Sequence, residues 1–438
     1  MLKLEPPVFD TPERDSFTSS LWHATAMPAT RYPALAGDRA AGAVVIGAGY
    51  TGLSAAIELA RHGEDVAVLD AREPGFGASG RNGGQVIPAF KYDPDSIAAV
   101  YGTQTGEKVL EMVSRTADAV FDLVREFDIA CDPLRTGWIQ GAHSEAGQAL
   151  VEARYRQWSR RGAPVELLDA RAMRRLTGTG LYPQGVLFRN AGTVQPLSYA
   201  RGLAAAAASL GVGIFGDSMV QAIEPAGKAW RVRTGQGSVT APRVVIGVNG
   251  YCTASLWPGL RESVVPVYSM QIATDPLPEP LRQEILPDVH SLADTRRLVW
   301  YCRKTREQRY VIGTRGPFKA RPAAPDARDL LAAAHRMYPA LRGVSFPYRW
   351  AGRVAMTADH VPHLHQLAPG VFAALGYNGR GVGMATMMGR ILAAAALGAR
   401  PDSLSYPVSD LRPISLHAFH RLGVQALVAY YRMLDRRA

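Results

Sequence analysis

The stretch Ala43–Ala71, AVVIGAGYTGLSAAIELARHGEDVAVLDA, constrains the fold more than any other part of the chain. The apolar run Ala43–Ile46 leads into Gly47-Ala48-Gly49-Tyr50-Thr51-Gly52, which opens a helical pattern through Arg61. Gly63 closes that pattern, and Val66–Leu69 reads as the next strand, ending at Asp70 and Ala71. The spacing predicts a strand, a tight turn, a helix and a second strand. In such a turn the first glycine permits the bend, the second lets backbone amides approach a pyrophosphate, and the third lets the helix pack on the strand. The helix N-terminus adds partial positive charge for the phosphates. Asp70 lies 18 residues beyond Gly52, where a carboxylate accepts hydrogen bonds from a ribose. A dinucleotide site built on Gly47, Gly49, Tyr50, Thr51, Gly52, Asp70 and Ala71 is therefore expected. Arg72 reads either as a cover for the adenine or as a solvated charge at the strand end.

A chain of 438 residues is long enough for two domains or one interleaved pair. Its 47% hydrophobic and 20% charged residues are those of a globular protein. The net charge of +11 invites a nucleic-acid partner, but only six of the 49 basic residues are lysines. The arginines are scattered, without the single basic stripe that a nucleic-acid surface needs, so no such partner is expected. Cys131, Cys252 and Cys302 offer neither a disulfide framework nor metal-ligand spacing, which fits a reducing, cytoplasmic compartment. The opening MLKLEPPVFDTPERD lacks the pattern of a signal peptide. Arg390 interrupts the longest apolar run, Gly381–Ala399, so no membrane span is expected.

Residues 1–40 read as an extended surface leader rich in proline, serine and threonine. The run Gly75–Val86, GFGASGRNGGQV, is too glycine-rich for a helix or strand. Read alone it is a flexible loop; adjacent glycines also let backbone amides lie flush against a ring or phosphate. Helical periodicity covers 94–127, a polar helix is expected at 145–161, and an alanine-rich helix at Tyr199–Leu210. Strand-like pieces fall near 212–223, 229–234 and 243–248, and 264–318 alternates as an antiparallel sheet does. On that sheet Tyr268, Gln271, Trp300 and Tyr301 are candidates to face a cavity. Period-two alternation allows only one of Trp300 and Tyr301 to do so, and Trp300 is favoured. A second glycine-rich turn, Gly376–Gly383, follows the strand VFAAL and opens another helix. His360, His363 and His365 lie across a proline-containing loop without cysteine or paired carboxylates, so no metal site is expected. From Ser415 to Ala438, apolar residues at helical spacing carry Arg421, Arg432, Arg436 and Arg437. This basic amphipathic helix, interrupted at Gly423, suits packing on the body or lying on an anionic membrane.

These segments (LWHATA with YPALAGD, VVIGAGYTGLSAAIELA, GFGASGRNGGQV, DTRRLVWY, WAGRVAMTADHVPHL and GYNGRGVG) resemble the FAD-dependent D-amino-acid-oxidase superfamily. Within it the likeness is to the bacterial γ-glutamylputrescine oxidase and L-pipecolate oxidase subgroup. The resemblance implies an α/β (α+β) fold. A Rossmann-like FAD domain (41–127, 190–263 and 346–400) is interleaved with a substrate domain (128–189 and 264–345), and a C-terminal helix spans 401–438. The substrate domain is expected to be a large mixed, mostly antiparallel sheet. The resemblance extends the cofactor set to Gly77, Ala78, Ser79, Arg81, Asn82, Gly83, Gly84, Gln85, Val220, Asn249, Gly250, Gly376, Asn378, Gly379, Arg380, Gly381 and Val382. The glycine loop has no histidine and no cysteine follows Cys302, so the residues by which some relatives attach flavin are missing and FAD is expected to be non-covalent.

The activity implied is oxidation of a carbon–nitrogen bond to an imine by hydride transfer to flavin N5. The substrate is an amine or amino acid bearing a carboxylate, such as L-pipecolate or γ-glutamylputrescine. Electrons pass to oxygen, giving H2O2, or to a quinone from a peripheral-membrane position; a non-catalytic FAD-binding protein is the remaining alternative. Trp300, Arg353, Arg380 and Gln271 are expected at the reaction centre. Arg380 stands where the γ-glutamylputrescine oxidases tend to carry histidine, a departure that leaves the substrate open. Arg353 reads as a carboxylate clamp, an FAD contact or one half of a structural ion pair. Lys91, Lys304 and Lys319 are the lysines available to activate oxygen.

Overall fold

The computed structural model describes residues 11–315 and 327–437. The first ten residues of the leader, the end of the strand-like stretch at 316–318, and Lys319 lie outside the described residues.

The strands Ala43–Ile46 and Val66–Leu69 are buried at every position, as strands covered on both faces must be. They run parallel in register from Ala43↔Val66 to Ile46↔Leu69 and belong to a six-stranded sheet. Its order is His363–Ala368, Val371–Leu375, Arg243–Ile246, Ala43–Ile46, Val66–Leu69, Gly213–Phe215, with only the first pair antiparallel. Because Ile46 pairs with both Leu69 and Ile246, these strands end level and open a crevice at their carboxyl ends. The helices Tyr50–Arg61 and Gly381–Ala396 meet at Gly389, where a Cβ would lie 2.5 Å from the Thr51 carbonyl oxygen. The hydroxyls of Thr51 and Tyr377 lie 2.7 Å apart and tie the first of these helices to the turn that leads into the second.

An eight-stranded sheet faces this unit. Its order is Tyr348–Met356, Val265–Pro276, Arg309–Arg315, Tyr301–Lys304, Ser291–Asp294, Trp138–Gly141, Gly185–Phe188, Val165–Leu168. Ser291–Asp294 and Trp138–Gly141 are parallel and every other neighbour is antiparallel, the mixed sheet expected. Tyr348–Met356, expected with the cofactor half, is instead the edge strand of this sheet, paired along Val265–Pro276 from Met356↔Val265 to Tyr348↔Ala273. A third sheet contains a strand, Gly237–Ala241, that the sequence reading passed over.

Two further expectations are corrected. Within the described part of the leader, residues 11–25 are not extended on the surface: they form the helices Thr11–Thr18 and Leu21–Thr25, with Phe17, Leu21 and Trp22 at most 1% exposed, while 26–36 run without helix or strand as expected. Ser20 caps the second helix by accepting from the His23 amide at 3.0 Å. Gly423 does not interrupt the C-terminal helix, which runs unbroken from His420 to Arg437. Near its end the Asp435 carboxylate accepts from the amides of Arg297 (3.2 Å) and Leu298 (2.9 Å), so the helix docks on the body. Its outer side remains bare: Leu416 and Phe419 just ahead of it, then Leu422, Tyr430 and Met433, are all exposed, while Val424, Leu427, Val428 and Tyr431 line a cavity.

Candidate active site

A cavity of about 990 Å³ runs from the carboxyl ends of the parallel strands to the eight-stranded sheet. Its first end is the turn read from the sequence. Gly47 takes φ +100°, and a Cβ on Gly52 would sit 1.9 Å from the Gly47 carbonyl oxygen, so both positions require glycine. Gly47, Gly49, Tyr50, Thr51, Asp70 and Ala71 line the cavity, whereas Gly52 lies behind it as the contact between helix and turn. The Asp70 carboxylate accepts from the amides of Ala48 (2.6 Å) and Arg72 (2.8 Å). Burial raises its carboxyl to about 6, against those hydrogen bonds, so at neutral pH it is mostly an anion at the strand end. The Arg72 side chain is outside the lining, 4.0 Å from Asp217.

The glycine loop forms the middle of the cavity and is held as firmly as a secondary-structure element. The Tyr50 hydroxyl donates to the Ser79 carbonyl at 2.6 Å, and Ser79 Oγ accepts from the Tyr50 amide at 3.1 Å. Asn82 donates to the Ser79 carbonyl (2.8 Å) and accepts from the Gly84 amide (2.7 Å). Gly77, Ala78, Ser79, Asn82, Gly83 and Gln85 line the cavity. Gly84 and Arg81 do not. A Cβ at Gly84 would strike both Arg303 and the Val194 carbonyl at 2.2 Å. Arg81 points away into the protein, 1% exposed, and pairs with Glu13 at 2.8 Å and the Tyr251 hydroxyl at 2.6 Å. The expected cofactor arginine is thus the loop's anchor.

Val220 also lines the cavity, two residues beyond Ser218, whose amide donates to the Asp70 carbonyl at 2.7 Å, and Asn249, Asn378, Gly379, Arg380, Gly381 and Val382 line it at the head of the helix Gly381–Ala396. Asn249 and Asn378 both take positive φ (47° and 51°) and use their side chains to set this junction. Asn249 Oδ1 accepts from the Gly376 amide at 2.9 Å, and Asn378 Oδ1 accepts from the Thr357 amide at 3.0 Å. Gly250 and Gly376 sit behind the lining; a Cβ at Gly376 would meet Thr357 Cγ2 at 2.2 Å. The helix N-terminus therefore faces the cavity with partial positive charge and no acidic residue in its first turn.

The far chamber departs from expectation at two residues, Trp300 and Gln271. Tyr301, not Trp300, lines it, together with Ser269, whose hydroxyl lies 2.7 Å from that of Tyr301. Alternation along Tyr301–Lys304 sends the preceding Trp300 the other way, under the Arg296 guanidinium at 4.0 Å. Gln271 is 1% exposed and spends its amide on the Arg81 carbonyl at 2.6 Å. Arg353 lines the cavity but pairs with the buried Glu13 carboxylate at 2.9 Å, which fits the ion-pair alternative. Of the lysines weighed for oxygen activation, Lys91 lines the chamber, while Lys304 is 1% exposed and donates to the Arg282 carbonyl. His360 lines the cavity as well; His363 turns to Asp359 and His365 to the Ser409 carbonyl. Glu13 was invisible in the sequence because it stands outside every motif. Truncating Tyr301 to alanine is expected to lower kcat/KM by about tenfold or more, the equivalent of about 1.4 kcal/mol. Trp300→Ala is expected to lower Tm while leaving kcat/KM within about threefold. The reverse pattern in steady-state kinetics would put Trp300 back in the chamber.

A cavity that begins at a strand–glycine–helix turn and ends under an antiparallel sheet defines a dinucleotide-dependent enzyme with a separate reaction chamber. Its size stands at the upper end of the ~300–1,000 Å³ typical of ligand pockets, enough for an extended cofactor. The donor set suits such a cofactor: a carboxylate at the strand end, glycines that admit backbone, and two helix N-termini. The family model for FAD dependent oxidoreductases (DAO) matches residues 43–395. The chain is 32% identical to the γ-glutamylputrescine oxidoreductase of Escherichia coli (strain K12) over 426 residues, 96% of this chain and 98% of that protein. It is 31% identical to the probable oxidoreductase OrdL of Haemophilus influenzae, covering 93% and 94% of the two chains. In fold it is similar to the glycine oxidase of Geobacillus kaustophilus, with a TM-score of 0.72 at 22% identity over 86% of this chain and 98% of that one. The chain belongs to the FAD-dependent oxidoreductase (DAO) family and is an FAD-dependent enzyme.

Proposed function

We propose that the enzyme oxidises the carbon–nitrogen bond of a small carboxylate-bearing amine or amino acid to an imine, which water then hydrolyses, with reduction of oxygen to H2O2. The observation that supports this reading most is the continuity of one cavity from the dinucleotide turn to a chamber lined by cationic side chains. FAD, when bound, supplies the hydride acceptor. The chain's own residues do the rest. Gly83, where a Cβ would lie 3.0 Å from the Tyr301 ring, lets the loop and roof close on each other and exclude water. The N-terminus of Gly381–Ala396 offers partial positive charge to negative charge developing in the cavity. Cations on the chamber wall orient the substrate through its carboxylate. The relatives' names, γ-glutamylputrescine oxidoreductase and glycine oxidase, fit a substrate of this class. Aerobic turnover of L-pipecolate, γ-glutamylputrescine, sarcosine and glycine, followed by peroxide formation, tests the reading. Peroxide from none of them would count against it.

The cofactor is held without a covalent bond in this reading: no cysteine lines the cavity among the described residues. Acid precipitation of the purified protein is expected to leave the yellow colour in the supernatant; a yellow pellet would show attachment.

The bare stripe on the C-terminal helix supports a second reading, transfer of electrons to a membrane quinone from a surface-bound enzyme. Apolar and aromatic side chains on a basic helix suit an anionic bilayer surface. No described helix is long and apolar enough to cross a membrane. Co-sedimentation with anionic but not neutral vesicles, with reduced flavin reoxidised faster by a quinone than by oxygen, would favour it.

A further inference from the structure

The chamber holds more positive charge than its own residues neutralise. Three carboxylates line the cavity among the described residues: Asp70, Asp93 and Asp294. Each is already engaged. Asp93 takes both of its oxygens to Arg154, at 2.6 and 3.1 Å. Asp294 pairs with Arg296 and accepts from the Trp300 amide at 3.0 Å. Asp70 holds the nucleotide turn at the opposite end. Arg353 and Arg297 are answered from outside the lining, by Glu13 and by Asp435 at 3.7 Å.

Lys91, Arg315 and Arg380 remain. All three line the cavity, and none makes a side-chain hydrogen bond or ion pair among the described residues. Among the described residues the Arg380 guanidinium lies over the Trp138 ring, 4.7 Å from the centroid. Arg315 acts on both of the others. Burial first, then Arg315, lowers Lys91 to about 8, and Arg380 is pulled down by burial, then by Arg154, with Asp93 opposing and Arg315 adding to the fall. His360, on the same wall, is lowered by burial and then by Lys91 and Arg315. Like charges gathered in a desolvated space cost stability unless an anion joins them.

We propose that Lys91, Arg315 and Arg380 form an anion subsite for a substrate with two acidic groups, a dicarboxylic amine or amino acid whose second carboxylate lies remote from the reacting C–N bond. A single carboxylate would leave two of the three cations uncompensated; two acidic groups leave one. Two arginines favour planar, bidentate partners, which carboxylates are. This rests on the chamber being the substrate site of the amine oxidation proposed above.

The test uses the purified holoenzyme at fixed ionic strength, with unreactive acids titrated against the flavin absorption band. Glutarate and succinate are expected to bind about tenfold or more tightly than butyrate, the effect of about one added charge-assisted hydrogen bond. Arg315→Gln and Lys91→Gln are each expected to erase most of that preference, while Arg315→Lys retains it. Should either glutamine variant lose flavin, the other carries the comparison. Equal affinity for glutarate and butyrate, or a preference untouched in both variants, would overturn the subsite. A preference that is present although no amine reduces the flavin would uphold the anion subsite and remove the amine-oxidation reading instead.

Discussion

A Gly52→Ala chain is expected to purify without flavin and to unfold well below the parent. The Cβ would be 1.9 Å from the Gly47 carbonyl oxygen, and that oxygen belongs to backbone with φ +100°, which no rotamer change relieves. Either the helix Tyr50–Arg61 moves off the strand Ala43–Ile46, or the turn deforms. Overpacking in a core costs about 1–3 kcal/mol where side chains can give way, and this site stands at or above the top of that range. The same displacement moves the helix N-terminus from the place where a pyrophosphate would sit, so the flavin-to-protein absorbance ratio falls together with Tm. Gly423→Ala is the matching control. It lies in an exposed helix interior with nothing within 4 Å of the new Cβ, and alanine is better there by about 0.5–1 kcal/mol. A Gly52→Ala protein with full flavin content and unchanged Tm would refute the packing described for the turn.

Glu13→Gln is expected to cost at least as much, from a position no cofactor motif includes. The carboxylate is 1% exposed and joins two guanidiniums, Arg81 at 2.8 Å and Arg353 at 2.9 Å. Removing one member of a buried ion pair leaves the partners uncompensated, at about 3–5 kcal/mol. The damage spreads to the cofactor because the Arg81 carbonyl is where Gln271 (2.6 Å) and Trp350 (3.0 Å) grip the glycine loop. Chemical denaturation should show the loss, and flavin should dissociate more readily at temperatures below unfolding. A change under about 1 kcal/mol would mean that the two arginines find other partners, against the account of Arg81 as the loop's anchor.

The chain's local signals identify the turn at the first end of the cavity and lose accuracy with distance from it. The turn at Gly47–Gly52 is legible because every constraint on it is local: strand period, glycine spacing, helix start and the acid at Asp70. The six-stranded sheet follows from buried parallel strands such as Val66–Leu69, whose continuous apolar runs have one stable use. What escaped depends on tertiary choice. Trp300 and Tyr301 are adjacent aromatics on one strand, and which faces the chamber is set by register against Ser291–Asp294, where Ala293 pairs with Tyr301. Arg353 kept three readings open, clamp, FAD contact or ion pair, because the partner that decides for the ion pair, Glu13, lies 340 residues earlier. Arg81 was read as a cofactor ligand from its place in the loop, yet its side chain turns inward to the same glutamate. Arg315 belongs to no motif and gains meaning only from the cavity it shares with Lys91 and Arg380.

Anaerobic mixing of the holoenzyme with a panel of amines tests the central claim most directly, the readout being loss of the oxidised flavin band. The panel is L-pipecolate, L-proline, γ-glutamylputrescine, sarcosine, glycine, iminodiacetate, L-glutamate and D-amino acids. The account predicts rapid bleaching by a carboxylate-bearing amine and return of the colour when air is admitted. A yellow protein whose band no amine bleaches would contradict it.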